Sequence, residues 1–291
     1  MRFPVDVALA ELVPLLPVGP RWWYELKLDG HRTVLWRSAE TVRLQSRSGR
    51  DVTPWWMDVA LAGMELPPGV VLDGEAVVPV AGGRVSFEAA QSRAASSPTR
   101  ARVLAERHPA LLVVWDVLAL PSGDVRARPY EERRALMLDV LAGLPSPSPI
   151  QAVSATDDVA VAQAWYDTLA DAGVEGVVAK LGSAPYRAGR SSSWKKVRHA
   201  ETVDVQVVGF AGPVARPRAL VVRLPDGRTA LSQRLGARLS AEVAGHLVGV
   251  VLSGRGRTSK GEAYFQADTG LVAEVLAGTT RHAVVTVSRL R

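Results

Sequence analysis

The sequence predicts an α+β protein of two domains, a larger strand-and-helix domain over residues 1–199 and a small β-barrel over residues 200–291, with the boundary at 198 to 202. Three observations predict it. The chain has 291 residues, more than one domain of ordinary size needs. Strand-like runs rich in Val, Leu and Trp crowd the first 125 residues, and two helical periods follow. Near residue 200 the texture changes to short strands parted by turn residues, with no internal repeat and no low-complexity tail.

In the first domain Arg21–Leu28, Thr33–Arg37, Thr41–Ser46, Val70–Val80 and Leu111–Leu120 read as strands bounded by Gly, Pro and Asp. Tyr130–Leu144 follows Pro129 and carries apolar residues at Met137, Val140, Leu141 and Leu144, the period of a helix. Asp158–Ala172 predicts a second helix, capped at Thr156 or Asp157. Its stripe is Ala162, Trp165, Tyr166 and Leu169, and Gly173 closes it in the left-handed conformation. The Pro/Ser stretch "LPSPSPI" between them reads as an internal loop, because the strand-forming "EGVVAKL" follows.

In the second domain Thr202–Phe210, Arg218–Leu224, Thr229–Arg234, Val248–Ser253 and His282–Arg289 read as strands and Ala237–Leu247 as a helix. Asp226-Gly227 is a strong hairpin signal between two of them. Five short strands and one helix in about 90 residues suit a small barrel of the oligonucleotide-binding type.

Composition excludes several chemistries. Cysteine is absent, which removes disulfides, thiolate catalysis and cysteine-based zinc sites and fits a cytoplasmic location. No apolar run approaches the roughly 18 residues a bilayer requires. The N-terminal "MRFPVDVALAELVPLLPVGP" is broken by Asp6, Glu11 and prolines and leads into a strand, so it reads as mature protein. The net charge of +6 and eight tryptophans suit a polyanion such as nucleic acid, although an arginine-favouring genome gives the same balance.

Four stretches carry chemistry. "YELKLDGHR" places Lys27 and Asp29 on one strand face, with Gly30 turning the chain so that Arg32 comes alongside. A surface ion pair explains this arrangement, and so does a lysine nucleophile whose proton affinity a nearby cation lowers. "VVLDGEAVV" puts Asp73 and Glu75 on one face of an apolar strand, where a ribose hydroxyl or a divalent metal would give them a purpose. "VEGVVAK" carries Glu175 and Lys180. "SSSWKKVR" carries Trp194, Lys195, Lys196 and Arg198, of which Lys196 and Arg198 share a face and can grip a phosphate. Each alone also reads as a solvated strand end, but the ordered set is harder to explain that way.

The order "KLDGHR", "SRSGR", "LDGEAV", "FEAAQSR", "EGVVAK" and "WKKVR" resembles the covalent nucleotidyltransferases, above all the ATP-dependent DNA ligases, with RNA ligases and mRNA capping enzymes as relatives. Small bacterial ligases, similar to the ligase module of end-joining proteins, match best. The resemblance implies a nucleotidyltransferase (ATP-grasp-like) domain of antiparallel sheets with helices, followed by an OB-fold. It implies Lys27 as the nucleophile that takes AMP from ATP, Glu25 near the adenine and Arg32 at the ribose and 5′-phosphate. Arg47 would face the ribose or nick phosphate, and Glu75 would hold the ribose or the metal. Phe87 would stack on the purine, Glu175 would bind the metal, and Lys196 and Arg198 would hold the α-phosphate. Asp29 and Gly30 would shape the turn.

The implied cosubstrate is ATP, the implied metal is magnesium (with manganese as a substitute), and the implied partner is nicked double-stranded DNA. The resemblance further suggests a monomer in DNA repair and recombination, cytoplasmic and nucleoid-associated, without membrane contact and with end-joining or repair proteins as candidate partners. The basic stretch "GRGRTSKGE", with Arg255, Arg257 and Lys260, reads as a loop that tracks the phosphate backbone or as a solvated turn. The family's barrel ends in a motif of arginine, then aspartate and lysine, that orients pyrophosphate. Here "TTRHAVVTVSRLR" resembles its approach, and Arg289 or Arg291 is expected to do part of the job. An RNA ligase or capping guanylyltransferase is an alternative; the bacterial-looking sequence, the short form and Glu25 argue against capping. A binding protein with a decayed ligase site is another, against which Lys27, Glu75, Glu175 and Lys196 argue together.

Overall fold

The chain divides into two compact units, Met1–His199 and Ala200–Arg291, in a computed structural model that describes residues 1–199, 202–276 and 285–290. In the first unit β1 (Ala8–Leu12) precedes β2 (Trp22–Leu28) and β3 (His31–Arg37), which Asp29-Gly30 joins. Next come β4 (Val42–Ser46), α1 (Met57–Ala62), β5 (Val71–Val77), α2 (Phe87–Ala94) and α3 (Pro98–Arg107). The unit continues with β6 (Leu111–Leu120), β7 (Gly123–Asp124), α4 (Tyr130–Ala142), β8 (Ile150–Ala152) and β9 (Ala155–Thr156). It ends with α5 (Val159–Thr168), β10 (Val174–Leu181) and β11 (Gly189–Arg198).

These strands form two sheets, ordered β1-β11-β10-β2-β9 and β4-β3-β5-β6-β7, with β8 also paired to β6. The Asp29-Gly30 turn therefore carries the chain from one sheet to the other. Pairing is antiparallel except for β1 beside β11 and β8 beside β6, which are parallel. The expectation of antiparallel sheets is corrected there: both partners follow long connections, and such connections permit either direction.

Alternation in each strand decides what each sheet face buries. Tyr24, Val177 and Ala179 turn outward from the first sheet and pack under Ala162 of α5. In the second sheet Leu35, Leu44, Leu72 and Leu112 pack on one side with Val59 of α1 and Met137 of α4. Its other side, at Val34, Val71 and Leu118, meets Trp194 of the first sheet and Tyr186. Burying each such side chain contributes about 1.5–3 kcal/mol.

Several boundaries differ from the sequence reading. The helix expected over Asp158–Ala172 stops at Thr168 and gives way to a 3-10 turn over Ala170–Ala172, closed by Gly173 at φ 88°. Its cap is Asp158, whose side chain accepts the Ala160 N–H at 2.8 Å, while Thr156 Oγ1 accepts the Asp158 N–H. Helices α2 and α3 are not visible as apolar stripes, because α2 buries only Ala90 and Arg93 and α3 only Ala101. Serine caps start both: Ser86 accepts from Ala89 and Ser97 from Arg100.

The second unit contains β12 (Thr202–Ala211), β13 (Ala219–Arg223), β14 (Thr229–Leu231), α6 (Ala237–Leu247), β15 (Leu252–Arg257), β16 (Ala263–Ala267), β17 (Val272–Leu276) and β18 (Thr286–Leu290). Among the described residues seven strands replace the five expected. Strand β12 pairs β13 on one side, and on the other pairs β17 along its first half and β16 near its end. Strand β17 pairs β18. A parallel bridge from Ser232, just after β14, to Val285, just before β18, closes the ring. Val205, Phe210, Leu220 and Val222 fill it together with Val243 and Leu247 of α6. Of the strand expected over Val248–Ser253 only Leu252 and Ser253 are strand, as the start of β15, and residues 248–251 form a link that exposes Val248 and Val251. The expected basic loop is corrected as well: Arg255 and Arg257 lie in β15, paired with β16, and only Thr258–Gly261 forms the turn. Arg291 and the side chain of Arg289 lie outside the described residues.

Candidate active site

The inner face of the first sheet is laid out in three rows by its register. Lys27 lies beside Gly176, which lies beside Arg198; Glu25, Val178 and Lys196 make the next row, and Trp23, Lys180 and Trp194 the third. Gly176 leaves room between the two cations of the first row. Strict alternation would send Glu175 outward with Val177 and Ala179. A bulge between Val174 and Gly176 turns it inward, and its carboxylate contacts the Lys27 ammonium and lies 3.7 Å from Arg198. Gly176 sits at φ 156°, and a Cβ there would meet the Val197 carbonyl oxygen at 2.1 Å, so only glycine fits the bulge.

In the second sheet Arg32 lies opposite Glu75 and diagonal to Asp73. Its guanidinium donates to both Asp73 oxygens, at 2.9 and 2.6 Å, and to the Ala8 carbonyl at 2.8 Å. Tyr186 donates to Asp73 at 2.7 Å. Arg32 thus ties three strands together, and its charge is matched by a fully buried carboxylate rather than turned on Lys27. Asp73 is thereby committed to Arg32, which corrects its reading as a metal or ribose ligand. Glu75 lines the cavity, accepts the Gly30 N–H at 3.2 Å, and has its pKa pushed up to about 7 by burial. Gly30 has no room for a side chain: a Cβ would meet the Ala76 carbonyl at 2.4 Å.

Between the second and third rows Glu25 and Lys180 form a buried ion pair of 2.8 Å. Glu25 also accepts from Tyr130, and Lys180 donates to the Trp115 carbonyl at 3.1 Å and sits 4.1 Å over the Trp194 ring. Burial opposes both charges, raising Glu25 and lowering Lys180, and the pair with its hydrogen bonds offsets that cost.

A cavity of about 590 Å³ opens between the two sheets of this unit. The structure brings Glu25, Lys27, Arg32, Arg47, Glu75 and Lys196 to it. The Lys196 ammonium has a lowered pKa through burial and the neighbouring charges of Lys27 and Arg198. Glu175 joins through Lys27, and Arg198 joins through Glu175. Phe87 is not brought there. It begins α2, is 44% exposed and does not line the cavity. Trp115 and Arg190, which the sequence reading does not name, also line it, as does Lys180. Lys180 was visible in "EGVVAK" without a task, and Trp115 was hidden inside an apolar strand.

Among the described residues no group of three His, Asp or Glu side chains is arranged to cage a metal. The donor set still fits a hard divalent cation that keeps its waters. Burial and mutual repulsion with Glu175 raise Asp29, burial and Asp29 raise Glu75, and a cation among these carboxylates would relieve both.

The family model described as ATP dependent DNA ligase domain matches residues 13–198. DNA ligase C of Mycobacterium tuberculosis is 36% identical over 210 residues, covering 71% of this chain and 58% of that protein. DNA ligase C2 of Mycolicibacterium smegmatis is 36% identical over 208 residues, 71% of this chain and 57% of that one. The chain thus spans less than two thirds of these relatives. The crystal structure of the ligase domain of M. tuberculosis LigD superposes with a TM-score of 0.59 at 26% identity, covering 98% of this chain and 94% of that one. A mycobacterial DNA ligase D complexed with ATP and MES superposes at 0.57, with the same identity and coverage.

Proposed function

The chain belongs to the ATP-dependent DNA ligase family, and from that premise we propose that it seals nicks in duplex DNA through a lysyl-AMP and a DNA-adenylate intermediate. The observation that carries the reading is Lys27 on the wall of the cavity, held by Glu175 and followed along the sheet by Lys196, with a buried aromatic and ion-pair end beyond.

In the first step Lys27 Nζ attacks the α-phosphorus of ATP. The ammonium first gives a proton to Glu175, the carboxylate in contact with it, which frees the amine lone pair; a P–N bond then forms, the bond to the pyrophosphate oxygen breaks, and the nitrogen sheds its second proton to solvent as pyrophosphate leaves. Lys196 and Arg47 offset the phosphate charge, with Arg198 acting beside Glu175. Glu25, anchored by Lys180, faces the base. Trp115 takes the stacking task first assigned to Phe87, because Trp115 lines the cavity and Phe87 does not. Arg32 stiffens the wall behind the ribose. AMP then passes to the 5′-phosphate of the nick, and the 3′-hydroxyl attacks that phosphorus and releases AMP.

A magnesium ion held by Glu75 and Glu175 would offset charge on the phosphates during transfer. Residues 200–291 serve as an OB-fold nucleic-acid-binding domain. Supporting this are the closed strand ring with one packed helix and the charge: 12 of the 35 basic and 7 of the 29 acidic residues fall there, +5 of the net +6. Among the described residues no helix is long and apolar enough to cross a membrane.

The test is incubation with magnesium and α-labelled ATP or GTP, followed by sealing of a singly nicked duplex. The expected result is acid-labile label from ATP on the wild-type chain, none on Lys27→Ala, and a sealed strand. No label from either nucleotide, with no sealing of a pre-adenylylated nick, overturns the proposal.

A further inference from the structure

The second unit has a cavity of its own, of about 340 Å³, lined by Arg216, Arg218 and Arg234 together with Pro217, Leu235 and Ser240. No carboxylate lines it. Among the described residues none of the three guanidinium groups has an ion-pair or hydrogen-bond partner, whereas Arg228 nearby in sequence is tied to Asp226 at 2.6 Å. Three unmatched cations around one hollow repel each other, and an anion would offset that cost.

The backbone that carries them is held in place. Arg218 donates its N–H to the Ala211 carbonyl at 2.7 Å and accepts from Leu235 N–H at 2.8 Å, and Arg216 N–H donates to Pro213 at 3.0 Å. Ser240 Oγ donates to the carbonyl of buried Pro217 at 2.8 Å. Gly212, at φ 103°, lets the strand end pass Arg218, whose backbone nitrogen would lie 2.9 Å from a Cβ. Ala237, the first residue of α6, also lines the hollow, and its helix begins at Gly236 without a side-chain cap, so the positive end of the helix adds to the three charges.

We infer that this arginine-lined hollow seats consecutive backbone phosphates of the duplex, about one for each arginine, as a second anchor separate from the cavity of the first unit. The lining contains no aromatic side chain on which a base could stack, so it recognises phosphate and not nucleobase. The unit's +5 charge suits a chain of phosphates better than a single small anion. The hairpin singled out in the sequence is less free: Arg257 donates to the Gly261 carbonyl, and Arg255 lies 5.3 Å over the Phe265 ring. The inference rests on the proposed action on duplex DNA for the identity of the polyanion.

The test is fluorescence anisotropy of a labelled nicked duplex, titrated with the full wild-type chain and with the combined variant Arg216→Gln, Arg218→Gln, Arg234→Gln. Between about 50 and 300 mM salt, the variant is expected to bind at least tenfold more weakly near 150 mM and to show a slope of log affinity against log salt shallower by about 2 to 3. The three Arg→Lys replacements should recover most of the slope. All three side chains are exposed, so the glutamine variant should melt with the wild type; if it melts lower, each single Arg→Gln variant should still lower the slope by about 1. A slope unchanged in the triple and single variants overturns the inference. Labelling of Lys27 by ATP is read separately. If wild type neither labels nor seals but the arginine effect on duplex binding persists, the ligase proposal falls and this one stands. If it labels and seals while the slope is unmoved, only this one falls.

Discussion

Glu175 reaches Lys27 because β10 bulges between Val174 and Gly176. Without that extra residue the carboxylate would point to α5 with Val177, and Lys27 would face Arg198 across the bare Cα of Gly176. One backbone irregularity thus decides whether the nucleophile meets a proton acceptor or a second cation. The consequences of that arrangement, and of the buried charges around it, can be measured.

Gly176→Ala should disrupt the bulge. The new Cβ would lie 2.1 Å from the Val197 carbonyl oxygen and 2.5 Å from Arg198 Cα, both backbone atoms that cannot step aside. The strain is expected to cost about 1–3 kcal/mol of stability or more, and the misplaced Glu175 to slow Lys27 labelling by tenfold or more. Urea melts and single-turnover labelling measure the two effects separately. Wild-type labelling in a variant of unchanged stability would refute the role of the bulge.

Glu75 should make stability fall as pH rises. Its folded pKa, about 7, lies above the ordinary carboxyl value of 4.5, so the folded state holds a proton that the unfolded chain has released. The contribution is fully present below pH 4.5 and is lost as pH rises through 7. Glu75→Gln should therefore melt close to wild type at low pH and higher than wild type at pH above the folded pKa, by up to about 3 kcal/mol at 1.4 kcal/mol per unit. Magnesium should narrow that gap at high pH, since the ion replaces the proton. Thermal melts at three pH values, with and without magnesium, provide the comparison.

The Glu25–Lys180 pair should show strong coupling. Both side chains are nearly solvent-free, so Glu25→Gln leaves the Lys180 ammonium buried without its partner. Each single replacement, Glu25→Gln or Lys180→Met, is expected to cost about 3–5 kcal/mol, and Glu25→Leu with Lys180→Met to recover much of it. Labelling by ATP should stay low in the double variant, because the base then meets no polar group. A double variant as unstable as the sum of the singles would count against coupling.

Much of this site was legible in the sequence. Lys27 in β2, the Asp29-Gly30 turn and Arg32 in β3 lie within six residues, and the local strand-turn-strand pattern places them, although not the partner of Arg32. What escaped depends on contacts between distant segments. Asp73 reads as a free ligand until β3 brings Arg32 diagonal to it. Lys180 has no visible task until β2 and β6 supply Glu25 and the Trp115 carbonyl. Helices α2 and α3 lack an apolar stripe because each touches the core at only one or two positions, so period carries no signal and only the caps at Ser86 and Ser97 remain to be read. The strand-ring closure through Ser232 and Val285 joins residues more than fifty apart and has no local signature at all.

The assignment of the stacking residue gives the sharpest contrast between the two readings. Sequence order pointed to Phe87, which lies on the exposed start of α2; the fold instead brings Trp115 to the cavity, beside the Lys180 that its own carbonyl holds. Arg32 lies 4.9 Å from the Trp115 ring and helps fix its plane. Base stacking on an aromatic ring is worth about 1–3 kcal/mol, so Trp115→Ala should raise the KM for ATP in the labelling step by roughly 5- to 150-fold, and Trp115→Phe should keep most of the affinity. Phe87→Ala should leave that KM within about twofold of wild type, as expected of an exposed side chain outside the cavity. If Phe87→Ala raises KM and Trp115→Ala does not, the stacking role returns to α2, and the loop before that helix must close on the nucleotide when it binds.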